Sequence, residues 1–410
     1  MARRGVRSRC GLAVTALLVM LTAGCGLFGP DASPDLPSEA DETSVPGPPT
    51  GGPNGQIMTV SPEGAGRTCS QSSPCNIEAA VGLAAPGTVI KMVEGEYPKV
   101  VLRGGDHLKG AGSAVVVEPA EGAGRPVIAG IDTAVPNVTW RGVKVTDVFM
   151  TSEGARGTSL EDVHVSGSGL YARADGMSIK DSLFEGGSSI DGIQVGRASN
   201  VLIEGNEIRD YDQANGSQFH ADCIQVFDSS DVVIRGNRLR DCYNAGIITS
   251  PGSGRGSKNI LIESNFIQGC TMVGTACTEG ASAADLRHSG VSGLVVRNNT
   301  FANGSLRAEP LPGAVFDRNI VDYMSSCEAP FTNSVIADWN KRWCADTPVV
   351  RSNGNKEGTV TFVDQAHGDL HLTDLDQARI TPTGNQTPAP QTIDRTPTDH
   401  TIAGAALLRG

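Results

Sequence analysis

Aromatic side chains are scarce in this chain: Trp, Tyr and Phe together make 4% of its 410 residues. That scarcity excludes long stacking platforms for sugars. Basic charge is also in deficit, with 33 Lys and Arg against 45 Asp and Glu and a net charge of −12. Phosphate backbones need a basic footprint, so nucleic acid is excluded as a partner. The ten cysteines include no Cys-x-x-Cys pair and no Cys/His spacing of the zinc kind. The apolar stretch Gly11 to Leu21 falls well short of the ~20 residues that a membrane span needs.

That stretch follows a basic segment, Arg3, Arg4, Arg7 and Arg9, and leads into Leu21-Thr22-Ala23-Gly24-Cys25. Basic, apolar, then small residues read as a signal peptide over residues 1–24. The ending resembles a bacterial lipobox, which implies cleavage before Cys25 and lipidation of its thiol. The protein is then expected to be exported and lipid-anchored on the outer face of the cytoplasmic membrane, touching the membrane only through the anchor. Removing residues 1–24 takes four arginines and no acid, leaving 29 basic against 45 acidic residues and a net charge of −16. Residues 25–56 follow, with seven prolines, five acidic residues and no Lys or Arg. Such a segment cannot bury enough apolar area to offset its ordering entropy, so a disordered tether is expected.

Residues 57–375 are long enough for a large core and show no second break in composition, so one elongated, monomeric domain is expected. Residues 376–410, with Pro382, Pro388, Pro390 and Pro397, read as an extended C-terminal tail running back along the domain. Eight cysteines remain besides Cys10 and Cys25, and an exported protein is expected to oxidise them. Cys69 with Cys75 and Cys270 with Cys277 would close short loops, and Cys327 with Cys344 a longer one.

From Asn200 the chain repeats itself. Asn200-Val201-Leu202-Ile203-Glu204-Gly205-Asn206-Glu207-Ile208 returns as Asp231-Val232-Val233-Ile234-Arg235-Gly236-Asn237-Arg238-Leu239, and again at Asn259 to Ile267, Gly293 to Phe301 and Ala314 to Val321. Divergent copies lie at Asn137 to Val145, Ser159 to Val165 and Met177 to Phe184. Each unit is a short apolar strand, a turn and another apolar pair, which cannot bury its apolar face alone and must stack. No helix separates the strands, so leucine-rich repeats are excluded, and propeller blades need longer units. The expected fold is all-β: a right-handed parallel β-helix with a short N-terminal capping helix. Equivalent residues stack about 4.8 Å apart. Asn206, Asn237, Asn265, Asn299 and Asn319 should form an internal ladder, each taking the left-handed turn and bonding the copies above and below.

Asn76 to Ala85 is the expected cap, with Ile77, Ala80, Val81 and Ala84 on one helical face and Pro86-Gly87 as its stop. The first strand should then be Thr88 to Met92. Cys69 to Arg103, including Gly95-Glu96-Tyr97, resembles the start of exported pectate-lyase-like β-helix proteins. Phe362-Val363-Asp364 with Gly368-Asp369-Leu370-His371-Leu372 resembles their closing segment. The likeness spans most of residues 57–375.

A second register carries the candidate chemistry. Asp191-Gly192-Ile193-Gln194-Val195 and Asp222-Cys223-Ile224-Gln225-Val226 each begin 15 residues before a ladder asparagine, and Ala284 to His288 keeps that offset. Ile193, Ile224, Ile247 and Leu286 should point inward, and Gln194, Gln225, Ile248 and Arg287 should line one outward column. Asp191 and Asp222 then stack, and such close carboxylates repel unless a proton, a cation such as calcium or N–H groups compensate. A longer loop, Tyr211 to Phe219, ends in His220-Ala221-Asp222-Cys223-Ile224-Gln225. This string resembles a His-x-Asp-x-x-Gln pattern of exported β-helix proteins grouped with polysaccharide-active enzymes. Cys223, facing outward beside it, and Cys270 are alternative disulfide partners for Cys242.

The expected partner is an extracellular polysaccharide. His220 would act as general base or acid, with Asp222 orienting it. Asp191, Gln194 and Gln225 would contact substrate, and Arg287 and Arg197 would neutralise a sugar carboxylate. These roles fit a lyase or epimerase on an acidic glycan. A non-catalytic carbohydrate-binding or structural surface protein, and a glycosidase using Asp191 and Asp222, are the competing readings. The sequence lacks the Asn-Thr-Asp, Asp-Asp, Gly-His-Gly and Arg-Ile-Lys set of pectin hydrolases and the Asp-Pro-His-Asp motif of alginate epimerases.

Overall fold

The computed structural model describes residues 55–214, 217–270, 281–326, 328–342, 348–384 and 387–405, all within the unit Ala40–Gly410. Cys25, Cys277, Cys327 and Cys344 lie outside the described residues.

Each apolar–polar alternation of the repeat becomes a strand, and the strands wind into coils. One coil runs Ser199–Glu204, Glu207–Tyr211, Asp222–Phe227, and the next runs Ser230–Arg235, Arg238–Cys242, Ala245–Thr249. Every strand pairs in parallel with its equivalent one coil on. One wall is a 12-stranded sheet from Ile57–Val60 to Phe331–Thr332, and the remaining parallel strands form the other walls. Parallel strands joined by short crossovers take the right-handed sense, and the chain is a right-handed parallel β-helix. Ile57–Val60, pairing with Val89–Met92, is the first strand, one strand earlier than the sequence suggested.

The core is a set of stacked rows. Ile203, Ile234, Ile262, Val296, Phe316 and Phe331 share one register position and are all fully buried. Such rows fill the interior with no polar atom to satisfy. The end is closed by the helix Ile77–Leu83, which Asn76 caps by accepting the Ala79 N–H at 2.7 Å.

The asparagine ladder forms inside the coils. Asn206 donates its backbone and amide N–H to Asn237 Oδ1, Asn237 does the same to Asn265, Asn265 to Asn299 and Asn299 to Asn319. Each amide also donates to a strand carbonyl of the preceding coil, as Asn237 does to Ile203 at 2.9 Å. The left-handed turn belongs to the residue before each asparagine: Gly205, Gly236, Ser264, Asn298 and Arg318 have positive φ. The asparagine supplies the bonds and its predecessor supplies the turn.

Beyond the last parallel strand, Phe362–Asp364 and Asp369–Leu372 form an antiparallel hairpin. The chain then lies against the coils. Leu370, Leu372, Ile380, Ile393, Ile402 and Ala405 pack on Phe266, Ala302, Ile320 and Val335. Arg395 pairs with Asp181, and Ala389 N–H donates to Asn298 Oδ1 at 2.9 Å.

Candidate functional site

The wall carrying Ile193–Gly196, Asp222–Phe227 and Ala245–Thr249 presents an outward column one residue out of phase with its buried row, Ile193, Ile224 and Ile247. Pairing runs Tyr171, Gln194, Gln225, Ile248, Asp285, Arg307. Arg287 is therefore not in the column. The coil after Asp285 carries two extra turn residues, so an equal offset from Asn299 does not give an equal register. Ala284, not Leu286, pairs with Ile247. Arg287 instead makes a bidentate contact with Asp285 at 2.8 and 2.7 Å, and Arg307 approaches the same carboxylate at 3.5 Å. Its charge is already answered.

Asp191 and Asp222 do stack. The Asp222 backbone N–H donates to Asp191 Oδ1 at 2.9 Å, and Gln194 Nε2 donates to Asp191 Oδ2 at 2.7 Å. Asn244 Nδ2 holds Asp222 Oδ1 at 2.8 Å, while Asp222 Oδ2 is buried with no hydrogen-bond partner among the described residues. Burial, then the neighbouring Asp191 charge, pushes the Asp222 carboxyl well above the usual range. Burial also raises Asp191, against the opposing pull of its donors, His220 and Arg173. Asp222 is wholly out of solvent. Both Asp191 oxygens already accept N–H bonds, so the pair offers a cation few free donors. Among the described residues, no group of three or more His, Cys, Asp or Glu side chains is arranged to hold a metal.

His220 is exposed, in the loop's last position before the buried Ala221 and Asp222. It lies close enough for a positive charge on its ring to lower the proton affinity of Asp191, yet no hydrogen bond joins the two among the described residues. Phe219 beside it is 74% exposed. Across the face, the insertion that begins at Pro251 is tied down by Asp228, which accepts from Ser253 N, Ser253 Oγ and Arg255 N at 2.6 to 2.8 Å.

Arg173 is the residue that the sequence reading missed. Its guanidinium lies 5.2 Å from the Tyr171 ring centroid and 5.1 Å from that of Phe227. It donates to Gln194 O at 2.7 Å and to Gln194 Oε1. No carboxylate pairs with it among the described residues, and Arg197 is close enough to repel it. Arg197 is exposed and likewise in no ion pair there. Gly196 makes the room: a Cβ there would stand 2.3 Å from Phe227 Cζ and 2.9 Å from Arg173 Nη1. The signal was the alternation Leu170-Tyr171-Ala172-Arg173-Ala174, whose inward residues are Leu170, Ala172 and Ala174.

Cys223 is buried rather than outward-facing and bonds Cys242, with Cα atoms 5.4 Å apart. Cys69 bonds Cys75. Cys270 is itself disulfide-bonded, so the Cys242–Cys270 alternative is overturned. The Cys223–Cys242 bond joins the strand bearing Asp222 to the chain just before Asn244, and so braces the carboxylate pair from beneath.

Residues 147–336 match the family described as "Right handed beta helix region". Comparison with curated proteins gives no match. Among solved structures, the chain is similar to pectate lyase Pel9A at 14% identity, covering 88% of this chain and 91% of that one with a TM-score of 0.42. It is also similar to the lacto-N-biosidase of Eubacterium ramulus, at 11% identity, 70% and 64% coverage and a TM-score of 0.47. A rhamnogalacturonan lyase gives 12% identity, 80% and 97% coverage and a TM-score of 0.40.

Proposed function

We propose that this face binds and processes an acidic polysaccharide outside the cell, on a protein lipid-anchored through Cys25 to the outer face of the cytoplasmic membrane. The observation that carries this reading is a pair of guanidiniums, Arg173 and Arg197, in no ion pair among the described residues of a chain with net charge −12. They stand beside an exposed imidazole and a held carboxylate. A sugar carboxylate at Arg173 and Arg197 loses its repulsion for a developing carbanion, which acidifies the adjacent C5 proton. His220 takes that proton as general base, with the Asp191 charge favouring the imidazolium that forms. Elimination then breaks the C4–O bond, the leaving oxygen takes a proton from solvent, and an unsaturated sugar and a new reducing end result, whereas return of a solvent proton to the opposite face of C5 gives the epimer. Asp222 supports Asp191 through its backbone N–H, and Gln225, whose side chain makes no hydrogen bond among the described residues, is left for substrate hydroxyls.

The test is a panel of polyuronates and neutral glycans, scored separately for unsaturated products by ultraviolet absorbance and for new reducing ends. Unsaturated product from a polyuronate, lost about 100-fold or more in His220→Ala, is the expected result. Binding without either product abandons catalysis. That no hydrogen bond among the described residues runs from His220 to either carboxylate favours that second reading, a carbohydrate-binding surface. The glycosidase reading is the poorest of the three, because a carboxyl sealed from solvent cannot flank a scissile bond.

A further inference from the structure

Gln194 stands between two groups that no direct hydrogen bond should be allowed to join. Arg173 can only donate and an ionised Asp191 can only accept, so a bridge between them must accept at one end and donate at the other. The Gln194 amide does so: Oε1 takes an Arg173 N–H, and Nε2 donates to Asp191 Oδ2 at 2.7 Å. The Gln194 carbonyl holds a second Arg173 N–H at 2.7 Å. With those partners the amide has a single sensible orientation. One coil on, Gln225 occupies the same register between Gln194 and Ile248 and has neither partner. The identical residue in the repeat therefore does a different job. Were the amide missing, guanidinium and carboxylate, already within reach of each other's charge, would close into an ion pair and cancel.

We propose that Gln194 is a positioning residue that ties Arg173 to Asp191 while holding them apart, so that the anion-binding and proton-transfer ends of the face are set as one unit. The inference rests on the acidic-glycan reading of that face. Two substitutions push it in opposite directions. Gln194→Ala removes an N–H donor from Asp191 but lets Arg173 fold onto it, and the ion pair outweighs the lost hydrogen bond and makes Asp191 easier to ionise. Gln194→Glu gives Arg173 a fixed carboxylate partner and sets a like charge against Asp191, which becomes harder to ionise. Both withdraw Arg173 from incoming anions.

The experiment is a carbon-13 NMR titration of the Asp191 carboxyl in wild type and both variants, with equilibrium binding of a uronic-acid monosaccharide and its uncharged parent sugar. The Asp191 midpoint should fall in Gln194→Ala and rise in Gln194→Glu, each by about one pH unit, a tenfold change in proton affinity. The preference for the acid over the neutral sugar should drop about tenfold in both, a loss equal to one good charge-assisted contact. Midpoints that stay put, or move together, overturn the relay. Midpoints that separate as described, in a protein whose wild type shows no preference for the acid, keep the relay and sink the acidic-glycan reading instead.

Discussion

Asp222 has one oxygen bonded to Asn244 and one buried with no partner among the described residues. Its carboxyl is pushed well above the ordinary range, by burial first and the Asp191 charge second. A carboxyl whose folded value is raised stabilises the fold fully below its unfolded value, about 3.9, and loses that contribution as pH climbs through the folded value. Asp222→Asn copies the neutral form and cannot ionise. The variant should therefore unfold at a higher temperature than wild type at pH 7 and at nearly the same temperature at pH 4, in matched thermal melts. It should also keep activity within a few-fold, whereas Asp191→Asn should lose it. A variant less stable at pH 7 than at pH 4 relative to wild type would mean that Asp222 is charged in the fold. At this scale the sequence exposed identities better than roles. Asp191, Gln194, His220 and Asp222 do gather on one stretch of wall, but burial decides which of them faces solvent, and burial depends on neighbours one coil away. Arg173 escaped because its coil lacks the Asp-Gly-Ile-Gln string, and Arg287 was misplaced by two residues of turn.

Strands and turns were far more legible, because each repeat states the same physical problem and the same solution. Periodic apolar residues gave the inward rows, and the asparagines gave the ladder, which continues through Ser182 and Ser334 where the repeat is worn. A second ladder, of charged side chains, runs through the same repeats. Two residues before each ladder position, one register runs Lys91, Glu118, Arg141, Glu161, Lys180, Glu204, Arg235, Glu263, Arg297, Asp317, and its charges alternate throughout. Adjacent rungs pair, as in Arg141 with Glu118 at 2.8 Å and Arg297 with Glu263 at 2.8 Å. Exposed pairs contribute little singly, but alternation penalises any slip of one coil, since every rung would then meet its own sign. Arg235→Glu places three acids in succession, one of them Glu263 at 2% exposure. It should cost about 2–4 kcal/mol, because a nearly buried carboxylate loses a neighbouring cation. The swap Glu204→Arg with Arg235→Glu should not rescue it, since Lys180 and Glu263 then each face their own sign. Urea unfolding of the single and double variants decides the point: full recovery in the swap would reduce the ladder to independent pairs.

At the scale of the whole molecule, one wall changes character part-way along. Its outward register reads Lys144, His164, Leu183, Glu207, Arg238 and then Phe266, Thr300, Ile320, Val335. The first group is partly open to solvent, while all of the second is buried. The change coincides with the segment that follows the last coil, which lays Leu370, Leu372, Ile380, Ile393, Ile402 and Ala405 over the apolar rungs. Proline-rich composition marks this segment as extended but cannot say what it covers, because the matching apolar rungs, Phe266 among them, lie far earlier in the chain. The segment is also fastened by polar bonds. His371 sits between the Asp369 and Asp394 carboxylates, the latter at 2.7 Å, with its ring edge-on to Phe266 at 5.2 Å. Ending the chain after Thr373 would strip off Ile380, Ile393, Ile402 and Ala405 and leave His371 with a single carboxylate. Each aliphatic side chain left uncovered forfeits about 1.5–3 kcal/mol of burial, and the exposed strip would include a Phe and two aliphatic rungs on a sheet face. Such a strip associates with its like. The truncated chain should therefore self-associate in analytical ultracentrifugation and bind a hydrophobic dye that the full chain ignores, while keeping its β-type circular dichroism, since the ladders and core rows are untouched. Loss of the β signal itself would show that the coils depend on this covering to stay wound, and a dye-silent monomer would show that the apolar rungs need no cover at all.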